Sequence, residues 1–426
     1  MTIEQGEVPG TSPIPVAGGR VRSSSVRTVF ASPLYRGATL ALFFAGIGQA
    51  AAVPLMSRFL VDDLHASLAT AGLFYLTNLS APIVGYLIGR RSDRTGKRLG
   101  IFRICAAIGF VGWILIAAST EVWMPFVISA LALGIAGVGA SQLFAAVHDE
   151  IEAKREPGGD GVISVIRMAL TAGWIVGPVL GSFLGALVGP RWLFVGTAVF
   201  VLLQLPPMGA LRTSPVAAQV AIAEATTGSI PVATIGWRRI APLLAFTGLY
   251  VFVFVGDPSR YAYLPILMQD RLHLPSLESG AIIGIQPLIE ICLMPFMILA
   301  ARRTGPLPLM VIGALCYVAA NVCFALSDSS IGIWIGQILI GGTWGVFAAL
   351  GIIVAQRLLP GAIATASAVF MSAPAVTAAL GGLSGAIGVS VLGLPEVFFI
   401  PAVSALIAAI GLAFLSRSPL VARSRG

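Results

Sequence analysis

Twelve apolar segments follow one another between residues 37 and 416, each about as long as a bilayer's hydrocarbon core is thick. They fall near 37–58, 68–89, 99–119, 123–146, 162–187 and 191–211, then near 240–264, 278–300, 307–326, 331–355, 362–390 and 395–416. A membrane-crossing helix needs about 20 predominantly apolar residues, so each segment predicts one span. Composition agrees, because only 10% of residues are charged, against about 25% in soluble domains that must coat a watery surface. A soluble enzyme, a disordered chain and an anchored ectodomain are excluded. The expected fold class is an all-α membrane protein of twelve transmembrane helices in two six-helix halves. The halves are placed at 37–211 and 240–416, with a linker at 212–239, a disordered tail at 1–36 and a short tail at 417–426. The first 33 residues lack the 7–15 apolar residues of a signal peptide.

Charge reads by position. The chain carries 26 Lys and Arg and a net charge of +8. On a soluble protein such a balance would raise nucleic acid as a partner, but cytoplasmic loops of membrane proteins also concentrate basic residues. With both termini inside, 22 basic residues fall on the inner side and only Arg58, Arg191, Arg260 and Arg271 on the outer. That asymmetry predicts twelve spans, both termini in the cytoplasm and no nucleic acid as partner. Cys105, Cys292, Cys316 and Cys323 sit in apolar segments without metal-ligand spacing and are read as packing residues. No metal and no cofactor are expected.

Between the second and third spans lies Gly89-Arg90-Arg91-Ser92-Asp93-Arg94-Thr95-Gly96-Lys97-Arg98. Gly89 is expected to allow close helix approach, Gly96 a tight turn, and Asp93 a breakable latch against basic side chains or helix N-termini. The run, with Gly89, Asp93, Arg94, Gly96, Lys97 and Arg98, resembles the signature loop of the major facilitator superfamily. The resemblance implies two parallel six-helix pseudo-repeats and alternating access. A fainter copy, Arg302-Arg303-Thr304-Gly305, places its Thr-Gly 209 residues after the first. In span five, Gly173, Gly177, Pro178 and Gly181 resemble the superfamily's exporter motif. Glycines at 173, 177, 181, 185 and 189 form one helical stripe, suited to close packing by a neighbouring helix.

Three stretches narrow the resemblance. They are Gln142-Leu143-Phe144-Ala145, the run from Ile163 through Arg167 to Trp174 and Pro178, and Leu272-His273-Leu274-Pro275 followed by Ile289-Glu290-Ile291. They are similar to the bacterial sugar efflux transporter family. His148 and Tyr263 depart from it, standing where a basic residue and a polar or acidic residue are expected. The resemblance implies a functional Arg167, as partner to a substrate oxygen or an acid.

Ionisable groups within the membrane are costly and mark function. Glu290 lies near the middle of span eight, with Gln286 one turn before it on the same face. Burial favours the neutral form of any carboxylate, so Glu290 is the best candidate to carry a proton or bind substrate. Asp257, late in span seven, is a gate or coupling candidate, with an outer-loop ion pair to Arg260 as the alternative. Gln49, Asn78, Gln142, Asn321 and Gln337 offer neutral hydrogen-bonding groups, and Trp174 and Trp344 flat faces, a set that suits a polar neutral solute. Each alone also serves as interhelical glue.

The expected function is secondary active, proton-coupled efflux of sugars or related small molecules by a monomer in the bacterial cytoplasmic membrane. A multidrug/proton antiporter with a more apolar cavity is the alternative. An importer is disfavoured by the span-five motif. A membrane glycosyltransferase would use Asp62-Asp63 but needs large outer loops that are lacking, so no enzyme activity is expected. No Gly-rich loop with Lys-Ser/Thr points to ATP.

Overall fold

The computed structural model describes residues 23–156, 158–212, 219 and 236–417. Among these, every regular element is helical. Eleven segments are long and apolar enough to cross a membrane, and one of the eleven is two spans. Gly159–Leu202 breaks at Gly189, whose φ of 83° and ψ of 163° lie outside the helical region. Pro190 follows and cannot donate a backbone hydrogen bond to the preceding turn. The break separates span five (159–188) from span six (190–202), inside the gap left between the fifth and sixth apolar segments, and the count becomes twelve.

The other spans are span one (Pro33–Asp63), two (Leu68–Thr95), three (Arg98–Ala117), four (Trp123–Lys154), seven (Arg239–Arg271), eight (Ser276–Thr304), nine (Pro306–Leu326), ten (Ser330–Leu358), eleven (Thr365–Leu392) and twelve (Glu396–Arg417). The ends carrying the 89–98 loop and Thr304 define a basic face.

The two halves repeat in detail. Span one ends in a π-helical turn, Phe59–Asp63, and span seven in another, Leu267–Arg271. In the first, Leu64 N donates to Phe59 O and Ala66 N to Leu60 O, at 3.1 and 2.8 Å; in the second, Leu272 N donates to Leu267 O and Leu274 N to Met268 O, at 3.1 and 2.9 Å. His65 and His273 adopt φ of 55° and 50°, uncommon for residues other than glycine. His273 follows His65 by 208 residues, nearly the interval between the two Thr-Gly pairs. Gly96 and Gly305, at φ 62° and 83°, close the helices before them.

The glycine stripe packs span five onto span one. A methyl group at Gly177 would meet Ala50 Cβ and Ile47 O at 2.7 Å, and one at Gly181 would meet Ala51 Cα at 2.7 Å. Gly177→Ala is expected to destabilise the protein by about 1–3 kcal/mol through overpacking. Gly196→Ala, where the added carbon meets nothing within 4 Å, should be neutral or stabilising by up to about 1 kcal/mol. Thermal unfolding in detergent separates the two; equal shifts would contradict the packing role of the stripe.

The halves meet away from the basic face. Gly280 and Gly284 of span eight lie against span five, where added methyl groups would come 2.7 Å from Pro178 O and 2.8 Å from Ile175 O. Span eleven packs on the start of span two, with Gly382 beside Gly72 O and Tyr75. Tyr263, fully buried, places its ring and hydroxyl over Gly72. Arg58 bridges the halves at the same level, 4.0 Å from Asp270.

Two expectations are corrected. The tail predicted to be disordered as far as residue 36 is helical over Ser23–Ala31, because Val29 buries its side chain in a cluster with Tyr35, Leu42 and Val162. Gly89 does not mediate a close helix approach, since a methyl group there would meet nothing within 4 Å. Residues 1–22, 418–426 and most of the 212–239 linker lie outside the described residues.

Candidate functional site

The second half holds a polar network drawn from four spans. Span seven is interrupted between Phe254 and Asp257, which sets Asp257 and Arg260 on the first turn of its second segment. Arg260 Nε donates to Asp257 Oδ1 at 3.4 Å, and its Nη1 donates to Gln337 Oε1 of span ten at 3.2 Å. Tyr317 of span nine donates its hydroxyl to the same Asp257 oxygen at 2.9 Å. The guanidinium lies 4.3 Å from the Tyr261 ring centroid. Arg260 is 2% exposed, so it is not an outer-loop charge as its place in the sequence suggested. The apolar cost of burying it is offset by Asp257 and a hydrogen-bonding neighbour.

Glu290 sits beside this network. Gln286 Nε2 donates to Glu290 Oε2 at 3.0 Å. Span ten packs closely on that stretch, a methyl group at Gly341 falling 2.8 Å from Gln286 O. Gln337, one turn before Gly341, binds Arg260, so Glu290 lies within electrostatic reach of both Asp257 and Arg260. Among the described residues no cation contacts Glu290 directly; its partner is a neutral amide. Several polar atoms here lack protein partners, namely Arg260 Nη2, Gln337 Nε2, Asn321 Oδ1 and the Trp344 indole nitrogen. Asn321 spends its amide nitrogen on Tyr317 O at 2.9 Å, and Trp344 packs 4.5 Å from Phe254. Buried polar atoms are nearly always satisfied, so such a cluster marks a place where binding or proton movement occurs.

The first half contains a cavity of about 290 Å³ walled by spans one, two, three, four and six. Gln49 and Asn78 line it, as does Gln204 in the turn after span six, which sequence reasoning missed.

The remaining predicted residues lie elsewhere. Gln142 is not at the cavity; its amide oxygen accepts from Ser92 of the signature loop. Ser92 in turn accepts from Arg98 Nη1 at 3.2 Å, while Arg98 Nε donates to Asp149 Oδ2 at 2.9 Å and Asp93 pairs with the same guanidinium. The latch is thus internal to spans two, three and four. Arg94 and Lys97 are exposed on it. Asp149, buried at the basic end of span four, is its principal acid and was not recognised in the Val147–Lys154 run. Asp149→Asn is expected to cost about 1.5–3 kcal/mol, the scale of a lost hydrogen bond to a charged group. Asp93→Asn, with its side chain 42% exposed, should cost less than about 1 kcal/mol. Unfolding in detergent tests the order, and the reverse order would refute it. Arg167 is exposed, with its guanidinium 5.9 Å from the Phe144 ring centroid. Trp174 is half-buried on the same span. Asp62 pairs with Arg58 at 2.9 Å and Asp63 with Arg191 at 3.3 Å.

Comparison with known proteins agrees with this architecture. The chain is 26% identical to a provisionally named sugar efflux transporter of Deinococcus radiodurans, over 91% of this chain and 99% of that one. It is 24% identical to sugar efflux transporter B of Salmonella typhimurium over 77% of this chain and 82% of that protein. With sugar efflux transporter A of Escherichia coli K12 it shares 26% over 84% and 90%. Crystal structures of the nucleoside transporter NupG superpose with TM-scores of 0.75, for a point variant, and 0.73, each at 17% identity over 90% of this chain and 99% of that one. The profile of the Major Facilitator Superfamily matches residues 38–382, and the chain belongs to that superfamily.

Proposed function

We propose that the protein is a secondary active exporter of sugars that exchanges its substrate for protons by alternating access. The observation that carries this reading is the group of Asp257, Arg260 and Glu290 within the membrane spans, the first two buried and the third half-buried, two acids and one base among unsatisfied hydrogen-bonding atoms. Charges at that depth belong to ion and substrate pathways. The names of three relatives, each matched over most of its length, favour sugar as the substrate class over drugs. Glu290 is assigned the proton and the Asp257–Arg260 pair the fixed charge beside it. Both termini are assigned to the cytoplasm of a bacterial cytoplasmic membrane, on the strength of the basic face, and the unit of function to the monomer. Contacts between the halves opposite that face support a state that receives substrate from the cytoplasm.

The test is reconstitution. Purified protein in liposomes with an imposed pH gradient is expected to drive labelled sugar against its concentration gradient, and collapsing the gradient should abolish uphill movement. Dye movement without movement of any sugar would turn the reading to multidrug export.

A further inference from the structure

The helix Ser23–Ala31, ahead of span one, presents three different faces. At about 3.6 residues per turn, Ser25 and Val29 share one face, Val26 and Phe30 the next, and Arg27 and Ala31 the one beyond. The first face is turned to the protein. Val29 is buried among Tyr35, Ile151, Val162 and Ile166, and Ser25 lies over Gly161, where any side chain would strike its hydroxyl. The other two faces are turned outwards. Phe30 is 62% exposed, and Val26, Arg27 and Ala31 are exposed with it. The helix stands at the level of a membrane boundary. Ile151 lies in the last turn of span four, which Lys154 and Arg155 close, and Val162 in the first turn of span five. Ser32 leaves helical geometry, at φ −92° and ψ 124°, as a residue before proline tends to, so the tail helix departs from the axis of span one. The second half carries a counterpart. Trp237 stands 208 residues after Val29, the interval that separates His65 from His273, and is 72% exposed at the start of span seven, near exposed Arg239.

We infer that the tail helix is a membrane-surface anchor, which seats Val26 and Phe30 among the lipid chains of the leaflet on the basic face and holds anionic phospholipid against Arg27. An interfacial helix buries its apolar face at the boundary between headgroups and acyl chains. Arg27 borders that face on the side away from the protein, where headgroups lie, and a guanidinium matches the geometry of a phosphate. Residues 8–57 hold Arg20, Arg22, Arg27 and Arg36 and no acid, and basic clusters beside a membrane draw anionic headgroups. Two apolar side chains make too small a face for a protein partner, since a specific interface buries about 800 Å² on each side. A leaflet needs no matching surface. The anchor is independent of which solute the protein carries.

Phe30→Trp in the otherwise native, full-length protein tests it. The protein is reconstituted in vesicles of equal parts phosphatidylcholine and phosphatidylglycerol, with one or the other lipid brominated in its acyl chains. The fluorescence that Phe30→Trp adds to that of the seven native tryptophans should be quenched by the brominated chains and not by acrylamide in the water. Ala31→Trp, on the next face, should show the reverse. Brominated phosphatidylglycerol should quench the fluorescence added at position 30 at least about twofold more than brominated phosphatidylcholine, the mark of anionic lipid gathered at a basic site. Arg27→Gln should remove that preference and leave the quenching by lipid. All three side chains are exposed, so the substitutions should leave the fold intact, which unfolding in detergent checks. Acrylamide reaching Phe30→Trp as readily as Ala31→Trp overturns the anchor. Quenching by neither agent would mean that another segment or a second copy covers the face, and overturns it too. Equal quenching by the two lipids, or a preference that survives Arg27→Gln, overturns the assignment of anionic phospholipid to Arg27.

Discussion

Arg260→Leu should abolish transport and lower stability by about 3–5 kcal/mol, the cost of removing one partner of a buried ion pair. Asp257 would keep the Tyr317 hydroxyl at 2.9 Å and the nearby Trp344 indole, and a carboxylate in a dry interior is poorly held by neutral donors alone. Gln337 would lose the donor to its amide oxygen as well. Adding Asp257→Asn to Arg260→Leu removes the stranded charge, and most of the lost stability should return. Transport should not return, because the fixed charge beside Glu290 would still be missing. Comparing Arg260→Leu, Asp257→Asn and the double variant measures the coupling, as contacting residues show interaction energies of about 0.5–3 kcal/mol. Unfolding in detergent and sugar flux in liposomes read the two effects. Full transport by the double variant would reduce the pair to architecture; additive stability losses would mean that the two side chains do not support one another.

Arg260 also shows where the sequence stops being legible. The number of spans could be read because lipid imposes length and apolarity on every span, and because Gly189-Pro190 marks a turn. The stripe from Gly173 to Gly185 could be read because its partner helix needs only to be near, and any close-packed neighbour gives the same pattern. Gly96 could be read because the left-handed backbone belongs to the residue itself. Side-chain partnerships have no such local signature. Arg98 meets Asp149 across 51 positions, Asp257 meets Tyr317 across 60, and Arg260 meets Gln337 across 77. Gln142 looked like a cavity residue because its type suits a sugar, yet the register of span four turns it to Ser92. Asp257 and Arg260 are three apart, a spacing that places two side chains on one helix face. That spacing was visible, but the break in span seven that buries both was not. The matching ends of spans one and seven, with Asp, Leu and His in the same order, are faint in sequence because only three of seven residues repeat. The backbone makes them plain.

Glu290→Gln is expected to separate exchange from energy coupling. The new side chain keeps the size of the old one, and its amide oxygen can still accept from Gln286 Nε2, now 3.0 Å from Glu290 Oε2. What it cannot do is take up and release a proton. Accumulation of sugar driven by a pH gradient should fall at least about tenfold, equivalent to about 1.4 kcal/mol or more. Exchange of labelled for unlabelled sugar with no gradient should stay within about threefold, because that cycle needs rocking of the halves and no net proton movement. The assignment to Glu290 over Asp257 follows from their partners. Asp257 has a cation in contact and a phenol donating to the same oxygen, so its charge is offset in every state that keeps those contacts. Glu290 has one neutral amide, and among the described residues no cation in contact offsets its charge. A site that must be neutral to pass through an occluded state and charged to reload is the one that couples protons to movement. Uphill transport of wild-type size in Glu290→Gln would move that role to Asp257. Loss of exchange as well would instead mean that Glu290 binds the sugar, which places substrate and proton at one site.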